Sequence, residues 1–222
     1  MCNLNKVCSI VGAGENKDNL HLIEKNDYII ASDGGYNYLK AINLTPNLLV
    51  GDFDSLSNIP SNVKIEKLKV EKDETDTFIC VQEGQKNNCN EFKLFCCTGG
   101  RIDHTIANLQ LIAWIAKQGY HGYLFDGEQI ITAITSRDVI TFDKSALGTV
   151  SIFSHDSESR GVEIHGLKYT LSNGVLTNYF PLAVSNSFVG KESSISCENG
   201  LIFIVFPTDC IKKIKIEKKK VA

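Results

Sequence analysis

The chain has 222 residues, of which 43% are hydrophobic and 22% are charged, and its formal net charge at pH 7 is −3. These values are ordinary for a globular protein of one large domain or two small ones, and they argue against a disordered chain. A weak negative charge offers no general attraction to nucleic acid or to an anionic membrane, and no apolar run approaches the ~20 residues of a membrane span. We therefore predict neither a nucleic-acid partner nor a membrane partner.

The N-terminal segment MCNLNKVCSIVGAGENKD holds a short apolar run and lacks the basic region and cleavage site of a signal peptide. It predicts a first strand, and a cytoplasmic protein is the default expectation. The eight cysteines include no CxxC pair and no zinc-ligand spacing. Cys96 and Cys97 lie in an apolar run, where a thiol behaves as a small hydrophobic group, so we predict buried, reduced cysteines.

Residues 1–145 repeat one pattern, in which a short apolar run is followed by a polar or glycine-rich turn and then by a helix-like stretch. The runs are KVCSIVGAGE, DYIIASDGG, NLLVGDFDS, KLKVEKDETD, FKLFCCTGGRIDH and GYLFDGE. Continuous aliphatic runs suit parallel strands that helices cover on both faces. The clearest helix starts near Asp103, stops at Gly119 and shares one face among Leu109, Ile112, Ala113 and Ala116. The alternation predicts a doubly wound, mostly parallel α/β domain.

Residues 146–222 contain short strand-like segments with little helical periodicity, among them GTVSIFSH, GVEIHGLKYTL, AVSNSF and LIFIVF. Asn173-Gly174 and Asn199-Gly200 are hairpin-turn signals between such segments. This part of the chain is predicted to be a small all-β sandwich or barrel domain. The lysine-rich tail IKKIKIEKKKVA lacks interleaved aromatic residues, so a solvated end is predicted rather than a nucleic-acid patch.

Acidic side chains follow one predicted parallel strand after another. They are Asp33, Asp52, Asp54, Asp73, Asp76 and Asp103. Ligands of open α/β sheets bind beyond the carboxyl ends of the strands, so these turns are expected to meet at one edge. Three of them have a structural alternative, because Asp33 suits a tight turn, Asp76 suits a helix start beside a Thr75 cap, and Asp103 suits a helix cap.

Asp52 and Asp54 in GDFDS are harder to explain structurally. If the strand geometry persists, both carboxylates point to one side while Phe53 enters the core. Close carboxylates repel unless a proton or a cation lies between them, and Mg²⁺ with its oxygen ligands resolves that repulsion. With Mg²⁺ bound, the acidic edge becomes a phosphate site, to which Arg101 adds a forked donor.

The glycines of TGGR would also let backbone N–H groups approach an anion beside a helix start. The sequence lacks a Walker phosphate loop and a G-x-S-x-G elbow, and VGAGENK lacks the third glycine of a dinucleotide fingerprint. His104 could be a base, a phosphate donor or a structural histidine, and its role stays open. These features together predict a magnesium-dependent enzyme that handles the phosphates of a nucleotide.

The segments SDGGYNYL, PNLLVGDFDSL, EKDETDT and TGGRIDHTIANLQL closely resemble the thiamin pyrophosphokinase family. GTVSIF, GLKYTL and AVSNSF are similar to the C-terminal β-domain of that family. The resemblance implies that a diphosphate passes from ATP to the hydroxyl of thiamin and that AMP leaves. It also implies a homodimer whose active site lies between the α/β domain of one subunit and the β-domain of the other.

The resemblance also implies roles for individual residues. Those that would hold Mg²⁺ and the reacting phosphates are Asp52, Asp54, Asp76 and Asp103. Those that would contact ATP are Asp33, Ser55, Asp73, Thr98, Gly99, Gly100 and Arg101. Ser185 and Asn186 match a pair that faces the thiamin pyrimidine. Asp73 or Asp76 is the candidate that takes the proton from the hydroxyl.

One departure from the family concerns the thiamin side of the site. Some members stack an indole on thiamin from the β-domain, whereas the only tryptophan here, Trp114, lies in the predicted long helix and is expected to pack in the core. Tyr179 or Phe188 could cover the cationic thiamin instead, unless both pack inside the sandwich. Two other functions stay open, namely a magnesium-dependent nucleotide phosphohydrolase and a non-catalytic regulator that binds thiamin or nucleotide.

Overall fold

A computed structural model of the chain describes residues 6–53, 63–68 and 73–219. The chain divides into two compact units, the first made of Met1–Leu111 with Tyr120–Gly127 and the second of Ile112–Gly119 with Glu128–Ala222. The predicted boundary between residues 145 and 146 lies later than this division, because strands within 129–142 pair with strands of the second unit. Within the described ranges, no helix is long and apolar enough to cross a membrane.

The first unit is built on a parallel sheet. Its strands are β1 (Val7–Val11), β2 (Tyr28–Ser32), β3 (Leu48–Gly51), β4 (Lys64–Lys67), β5 (Glu91–Phe95) and β6 (His121–Asp126). The helices are α1 (Gly35–Ala41), α2 (Asp76–Lys86), α3 (Ile102–Lys117) and a 3-10 turn at Leu20–Leu22, and α3 belongs to the second unit from Ile112 onward. The order β6-β5-β1-β2-β3-β4 is parallel at every pair. The predicted α/β class is confirmed.

The buried strands match the continuous apolar runs of the sequence. The strands β1, β2 and β3 are buried over nearly all of their residues, as expected for strands covered on both faces. The fourth strand differs from the prediction, since β4 ends at Lys67, where the run KLKVEKDETD begins. It lies at the edge of the sheet and is mostly exposed, so its residues carry little hydrophobic signal.

Two helices begin where their sequences indicate, and the second also ends as predicted. The Thr75 hydroxyl caps α2 by accepting a 3.2 Å hydrogen bond from the Phe78 N–H, which satisfies one of the free donors of the first turn. The long helix α3 buries Ile112, Ala113 and Ala116 on its predicted face. It ends before Gly119, whose φ of +86° lies in the left-handed region that favours glycine.

The second unit is an antiparallel β structure. Its strands are β7 (Gln129–Thr135), β8 (Asp138–Phe142), β9 (Thr149–Ser154), β10 (Glu158–His165), β11 (Leu171–Thr177), β12 (Ala183–Ser187), β13 (Ser193–Ser196), β14 (Leu201–Pro207) and β15 (Ile214–Lys218). Neighbouring strands pair in the orders β12-β9-β14-β7 and β11-β10-β13-β8-β15. A 3-10 helix at Thr208–Lys213 lies between β14 and β15 in the chain. The ring of Phe142 meets those of Phe188 and Phe206 at centroid distances of 5.0 and 5.4 Å in the core.

One local prediction for the second unit is wrong. Asn173-Gly174 is not a hairpin turn, because both residues lie inside β11, where Asn173 has φ +49° and the register with β10 shifts. A left-handed residue serves a strand irregularity as well as a turn, so the dipeptide signal was ambiguous. The tail segment Ile214–Lys218 is exposed or half-exposed, in line with the predicted solvated end, and it also forms the edge strand β15 against β8. Asn199-Gly200 does connect β13 to β14, as predicted.

Candidate active site

The carboxyl ends of the parallel strands surround a cavity of about 550 Å³ in the first unit. Its wall consists of residues 12–15, 32–33, 52, 74–77, 96–97, 99–101, 104 and 108. This is the edge at which open α/β sheets bind ligands, and the volume suits a small-molecule site. The prediction that turns after successive strands meet at one edge is therefore fulfilled for Asp33, Asp52 and Asp76, which all line the cavity.

Two of these carboxyl groups are in direct contact. Asp33 is half-buried and hydrogen-bonded to Asp76, and the Phe53 N–H donates to Asp33 Oδ1 at 3.4 Å. The pKa of Asp33 is raised to about 7, first because burial desolvates its carboxyl and then because of the neighbouring Asp76. The neighbouring carboxyl and the burial of Asp33 thus disfavour a negative charge on Asp33. A divalent cation between the two carboxyl groups would offset that repulsion.

Gly51, at the end of β3, makes room for the Asp33 carboxyl. A Cβ on Gly51 would lie 1.7 Å from Asp33 Oδ1, which is far inside van der Waals contact. Asp33 itself has φ +43° and belongs to a turn. Asp33 therefore both forms the predicted turn and lines the cavity. The glycine that opens GDFDS thus leaves the space that the Asp33 carboxyl occupies.

The expected strand geometry through GDFDS is wrong. The strand β3 ends at Gly51, and Phe53 has φ +66°, which is incompatible with a continuing strand. Phe53 nevertheless enters the core, as predicted, because the left-handed turn directs its ring inward. Asp52 lines the cavity, whereas Asp54 and Ser55 lie outside the described residues.

The acidic wall has the ligand chemistry of a hard cation. Among the residues that the structure describes, no group of three or more His, Cys, Asp or Glu side chains is placed to hold an ion by itself. Magnesium commonly takes only one or two carboxylates and completes its shell with water and substrate phosphates. Asp33, Asp52 and Asp76 therefore fit a magnesium ion that arrives with a nucleotide. Asp73 is exposed and is not part of the described wall.

The turn before α3 forms another part of the cavity wall. Gly99 and Gly100 have φ values of +82° and +63°, so two successive peptide units follow a left-handed path that can turn N–H groups toward an anion. Arg101 lines the cavity and forms a fork with Asp103, with Nε–Oδ1 at 3.2 Å and Nη2–Oδ2 at 2.5 Å. This hydrogen bond is the main reason why the pKa of Asp103 is lowered.

Asp103 therefore pairs with Arg101 and stands outside the described cavity wall. The guanidinium is 72% exposed, so the pair adds little stability, yet it orients the fork beside the cavity. An incoming phosphate could take the place of the Asp103 carboxylate on this fork.

The first loop, Gly12 to Glu15, belongs to the cavity wall although its sequence pattern did not single it out as a site. The Gly12 N–H donates to the Phe95 carbonyl at 2.9 Å, and the Gly14 N–H donates to the Cys96 carbonyl at 2.7 Å. These bonds join the loop after β1 to the turn after β5. The signal that could have found it was its position directly after the first buried strand.

The cysteines of the wall are not nucleophiles. Burial raises the pKa of Cys96 to about 11 and that of Cys97 to about 12, so both thiols stay protonated at neutral pH. The seven cysteines within the described ranges, Cys96 and Cys97 included, are free and buried, as predicted. Asn108, a buried residue of α3, donates from Nδ2 to the Cys97 carbonyl at 2.7 Å and fixes the turn before the helix.

The predicted thiamin residues lie in the second unit. Ser185 is exposed with φ +60°, and its N–H donates to Ser151 Oγ at 3.0 Å. Asn186 is only 4% exposed, and its amide both accepts from the Tyr169 N–H at 3.0 Å and donates to the Tyr169 carbonyl at 2.7 Å. The amide therefore holds the Tyr169 segment next to Ser185.

The two aromatic candidates for covering thiamin, Tyr179 and Phe188, differ in their exposure. Phe188 is buried against Phe142, so ordinary core packing accounts for it. Tyr179 is 80% exposed and is the aromatic residue of the pair that a ligand can reach. Trp114 lies in α3 as predicted and is half-buried.

Comparisons with known proteins match this architecture. Residues 20–124 match the family model "Thiamin pyrophosphokinase, catalytic domain", and residues 137–202 match "Thiamin pyrophosphokinase, vitamin B1 binding domain". The thiamine pyrophosphokinase of Bacillus subtilis is 25% identical over 187 residues, which cover 81% of this chain and 87% of that protein.

Solved structures share the fold. The crystal structure of the Bacillus subtilis thiamine pyrophosphokinase superposes with a TM-score of 0.83 at 22% identity and covers 92% of this chain and 100% of its own. The yeast thiamin pyrophosphokinase gives a TM-score of 0.76 at 17% identity, over 93% of this chain and 88% of its own.

Proposed function

Since the chain belongs to the thiamin pyrophosphokinase family and is an enzyme that forms thiamin diphosphate with ATP as co-substrate, we propose that it transfers the diphosphate in one step and releases AMP. The observation that carries this proposal is the cavity of the first unit, whose wall combines the carboxylates of Asp33, Asp52 and Asp76 with a glycine turn and Arg101. Acidic and basic groups in one cavity wall suit a phosphate chain that is bound together with a metal ion.

Magnesium is part of this proposal. Asp52, Asp76 and Asp33 line the cavity and would hold the ion, together with Asp54, which lies outside the described residues. When bound, such an ion would supply positive charge that offsets the negative charge developing on the leaving group. Asp103 would contribute after an incoming phosphate has displaced its carboxylate from the Arg101 fork.

The phosphate chain of ATP would lie between the acidic wall and the turn Thr98 to Arg101. Gly99 and Gly100 leave the backbone open to an approaching phosphate because they lack side chains. Arg101 would bind phosphate oxygens through its planar fork. Asp73 and Ser55 remain proposed ATP contacts from the resemblance, the first exposed at the start of the α2 region and the second outside the described residues.

The chemical step balances without any further reactant. The hydroxyl oxygen of thiamin forms a bond to the β-phosphorus of ATP, and the bond from that phosphorus to the oxygen bridging to the α-phosphorus breaks. AMP leaves with the bridging oxygen. A carboxylate takes the hydroxyl proton, and Asp76 is our candidate because it lines the cavity, with Asp73 as the alternative.

We also propose that the chain acts as a homodimer and that its β-domain supplies the thiamin pocket. Exposed apolar side chains are concentrated in one stretch of the second unit, as expected for an interaction surface. They are Tyr179, Phe180, Leu182, Val184 and Val189, with Tyr169 on the neighbouring segment that Asn186 holds. Ser185 lies within this stretch and would face the thiamin pyrimidine.

The test incubates the purified protein with ATP, Mg²⁺ and thiamin and separates the nucleotide products. We expect AMP and thiamin diphosphate in equal amounts, and only when thiamin is present. ADP as the product would identify a monophosphate kinase, and phosphate release without thiamin would identify a phosphohydrolase. Either result would overturn the proposal.

Two variants test the acidic wall in the same assay. Asp52→Asn removes one charge of the cavity and is expected to lower turnover by at least about 100-fold, on the scale of losing one transition-state contact. Asp143→Asn is the matched control, because Asp143 lies in the second unit, away from the cavity wall. Equal activity of the two variants would contradict the assignment.

A further inference from the structure

Asp126, the last residue of β6, lies beside the cavity without forming part of its described wall. Its Oδ1 atom accepts two hydrogen bonds, one from the Thr98 hydroxyl at 2.7 Å and one from Asn16 Nδ2 at 3.0 Å. Thr98 belongs to the turn before α3, and Asn16 belongs to the loop after β1. A single oxygen therefore joins two loops that are separate in sequence and that both supply residues to the cavity wall.

Other contacts also join the two loops. The Gly14 N–H donates to the Cys96 carbonyl at 2.7 Å, and Glu15 packs beside Gly99 and Gly100. Further along the first loop, Asn19 donates from Nδ2 to the carbonyl of Gly127, the residue after Asp126. Asp126 and Gly127 thus hold the later part of the first loop, and Asp126 also binds Thr98 in the glycine turn.

We propose that Asp126 is a positioning residue for nucleotide binding, which sets the spacing between the first loop and the turn Thr98 to Arg101. This inference rests on the proposed ATP site. Thr98 is 2% exposed and its hydroxyl hydrogen is already donated to Asp126, so the hydroxyl has no proton left to offer a phosphate. Its contribution is to hold Gly99 and Gly100, whose backbone meets the ligand.

The geometry separates a positioning role from a role of the negative charge. Both hydrogen bonds end on Oδ1, an acceptor that asparagine also carries, so Asp126→Asn can keep both bonds while it loses the charge. Asp126→Ala loses both bonds and the charge. A group that acted through its charge, for example on a cation or on a ribose hydroxyl, would be damaged by either change.

The experiment measures ATP binding by calorimetry in the presence of Mg²⁺, together with the KM values for ATP and thiamin. We expect Asp126→Ala to weaken ATP binding by about tenfold or more, because a loop displaced by a fraction of an ångström loses aligned phosphate contacts. Asp126→Asn should stay within about threefold of the wild type. The KM for thiamin should change less than the KM for ATP in both variants.

Asn16→Ala removes one of the two bonds to Asp126, together with the 3.4 Å bond from the Asp18 N–H to Asn16 Oδ1, so it should weaken ATP binding in the same direction and by less. Combined with Asp126→Ala, it should add less than it costs alone, because the bond to Asp126 is already lost. Thermal unfolding would reveal whether Asp126→Ala folds. If it does not, Asn16→Ala alone tests the proposal.

The proposal is overturned if Asp126→Ala binds ATP as the wild type does, or if Asp126→Asn is as damaging as Asp126→Ala. A fully additive double variant would also overturn it. Calorimetry does not depend on turnover, so these outcomes stay distinct from a failure of the proposed diphosphate transfer, which the product assay of the wild-type enzyme decides.

Discussion

Replacing Gly14 by alanine would separate the two loops that enclose the cavity. A Cβ at this position would lie 2.4 Å from the Thr98 carbonyl oxygen and 2.7 Å from the Cys96 carbonyl oxygen. Both neighbours are backbone atoms of the turn before α3, so no flexible side chain can move aside. Gly14 is not among the glycines with a left-handed φ, so the effect of alanine here is steric rather than conformational.

The size of the displacement follows from these distances. Ordinary contacts of a Cβ begin near 3.4 Å, so the first loop must retreat from the Thr98 carbonyl by about 1 Å. That retreat also stretches the 2.7 Å bond from the Gly14 N–H to the Cys96 carbonyl. A misplacement of about 1 Å in a binding site lowers kcat/KM by about 100-fold, and the lost bond costs about 1 kcal/mol of unfolding free energy.

Steady-state kinetics with varied ATP tests this prediction, and urea unfolding measures stability in parallel. The matched control is Gly119→Ala, where no atom lies within 4 Å of the new Cβ but φ is +86°. That variant should lose about 1–2 kcal/mol of stability through backbone strain and keep its KM for ATP. If Gly14→Ala keeps the wild-type kcat/KM for ATP, the loop spacing does not matter and the reasoning is refuted.

Three further predictions address stability, phosphate binding and assembly. Asp138 accepts hydrogen bonds from Lys218 Nζ at 2.6 Å and from the Thr135 N–H and hydroxyl, so Asp138→Asn should cost about 1–3 kcal/mol at neutral pH. Burial alone would raise the pKa of Asp138, but these hydrogen bonds outweigh burial and the pKa is lowered. The stabilisation by Asp138 is therefore complete above about pH 5 and is lost as the pH falls below about 4. Urea unfolding of the wild type and of Asp138→Asn across this range should show the difference between their unfolding free energies shrinking as the pH falls. Arg101→Lys keeps the charge but loses the planar fork, so ATP binding measured by calorimetry should weaken several-fold, and recovery of wild-type affinity would contradict the role of the fork. Phe180→Asp places a charge on the exposed apolar stretch, so light scattering should show a monomer with lost thiamin-dependent activity, whereas an unchanged dimer would exclude this surface from the interface.

Much of the fold could be predicted because most of the parallel strands are continuous apolar runs and because α2 and α3 each carry one clear end signal. Thr75 before α2 and Gly119 after α3 are local signals, and local signals are readable without the tertiary structure. The edge strand β4 was misplaced because an exposed strand buries little and has no apolar pattern. Asn173-Gly174 was misread because a left-handed residue fits a strand irregularity as well as a turn.

The sequence predicted where the candidate site lies but not which of its side chains contact one another. The order of strands and turns was enough to bring Asp33, Asp52 and Asp76 to one edge. The contact between Asp33 and Asp76, and the fork that joins Arg101 to Asp103, depend on side-chain directions that spacing does not specify. Asp126 stands in the run GYLFDGE, but the spacing does not reveal that its carboxylate joins two loops, and the proposed role rests on those contacts.

The central claim is that a diphosphate moves as one unit from ATP to thiamin. The most direct test supplies ATP labelled with phosphorus-32 at the β-position, together with Mg²⁺ and thiamin, and follows the label by chromatography. We predict that the β-label appears in thiamin diphosphate and that the nucleotide product is unlabelled AMP. Label retained in ADP, or released as inorganic phosphate or diphosphate while thiamin stays unmodified, would contradict the account.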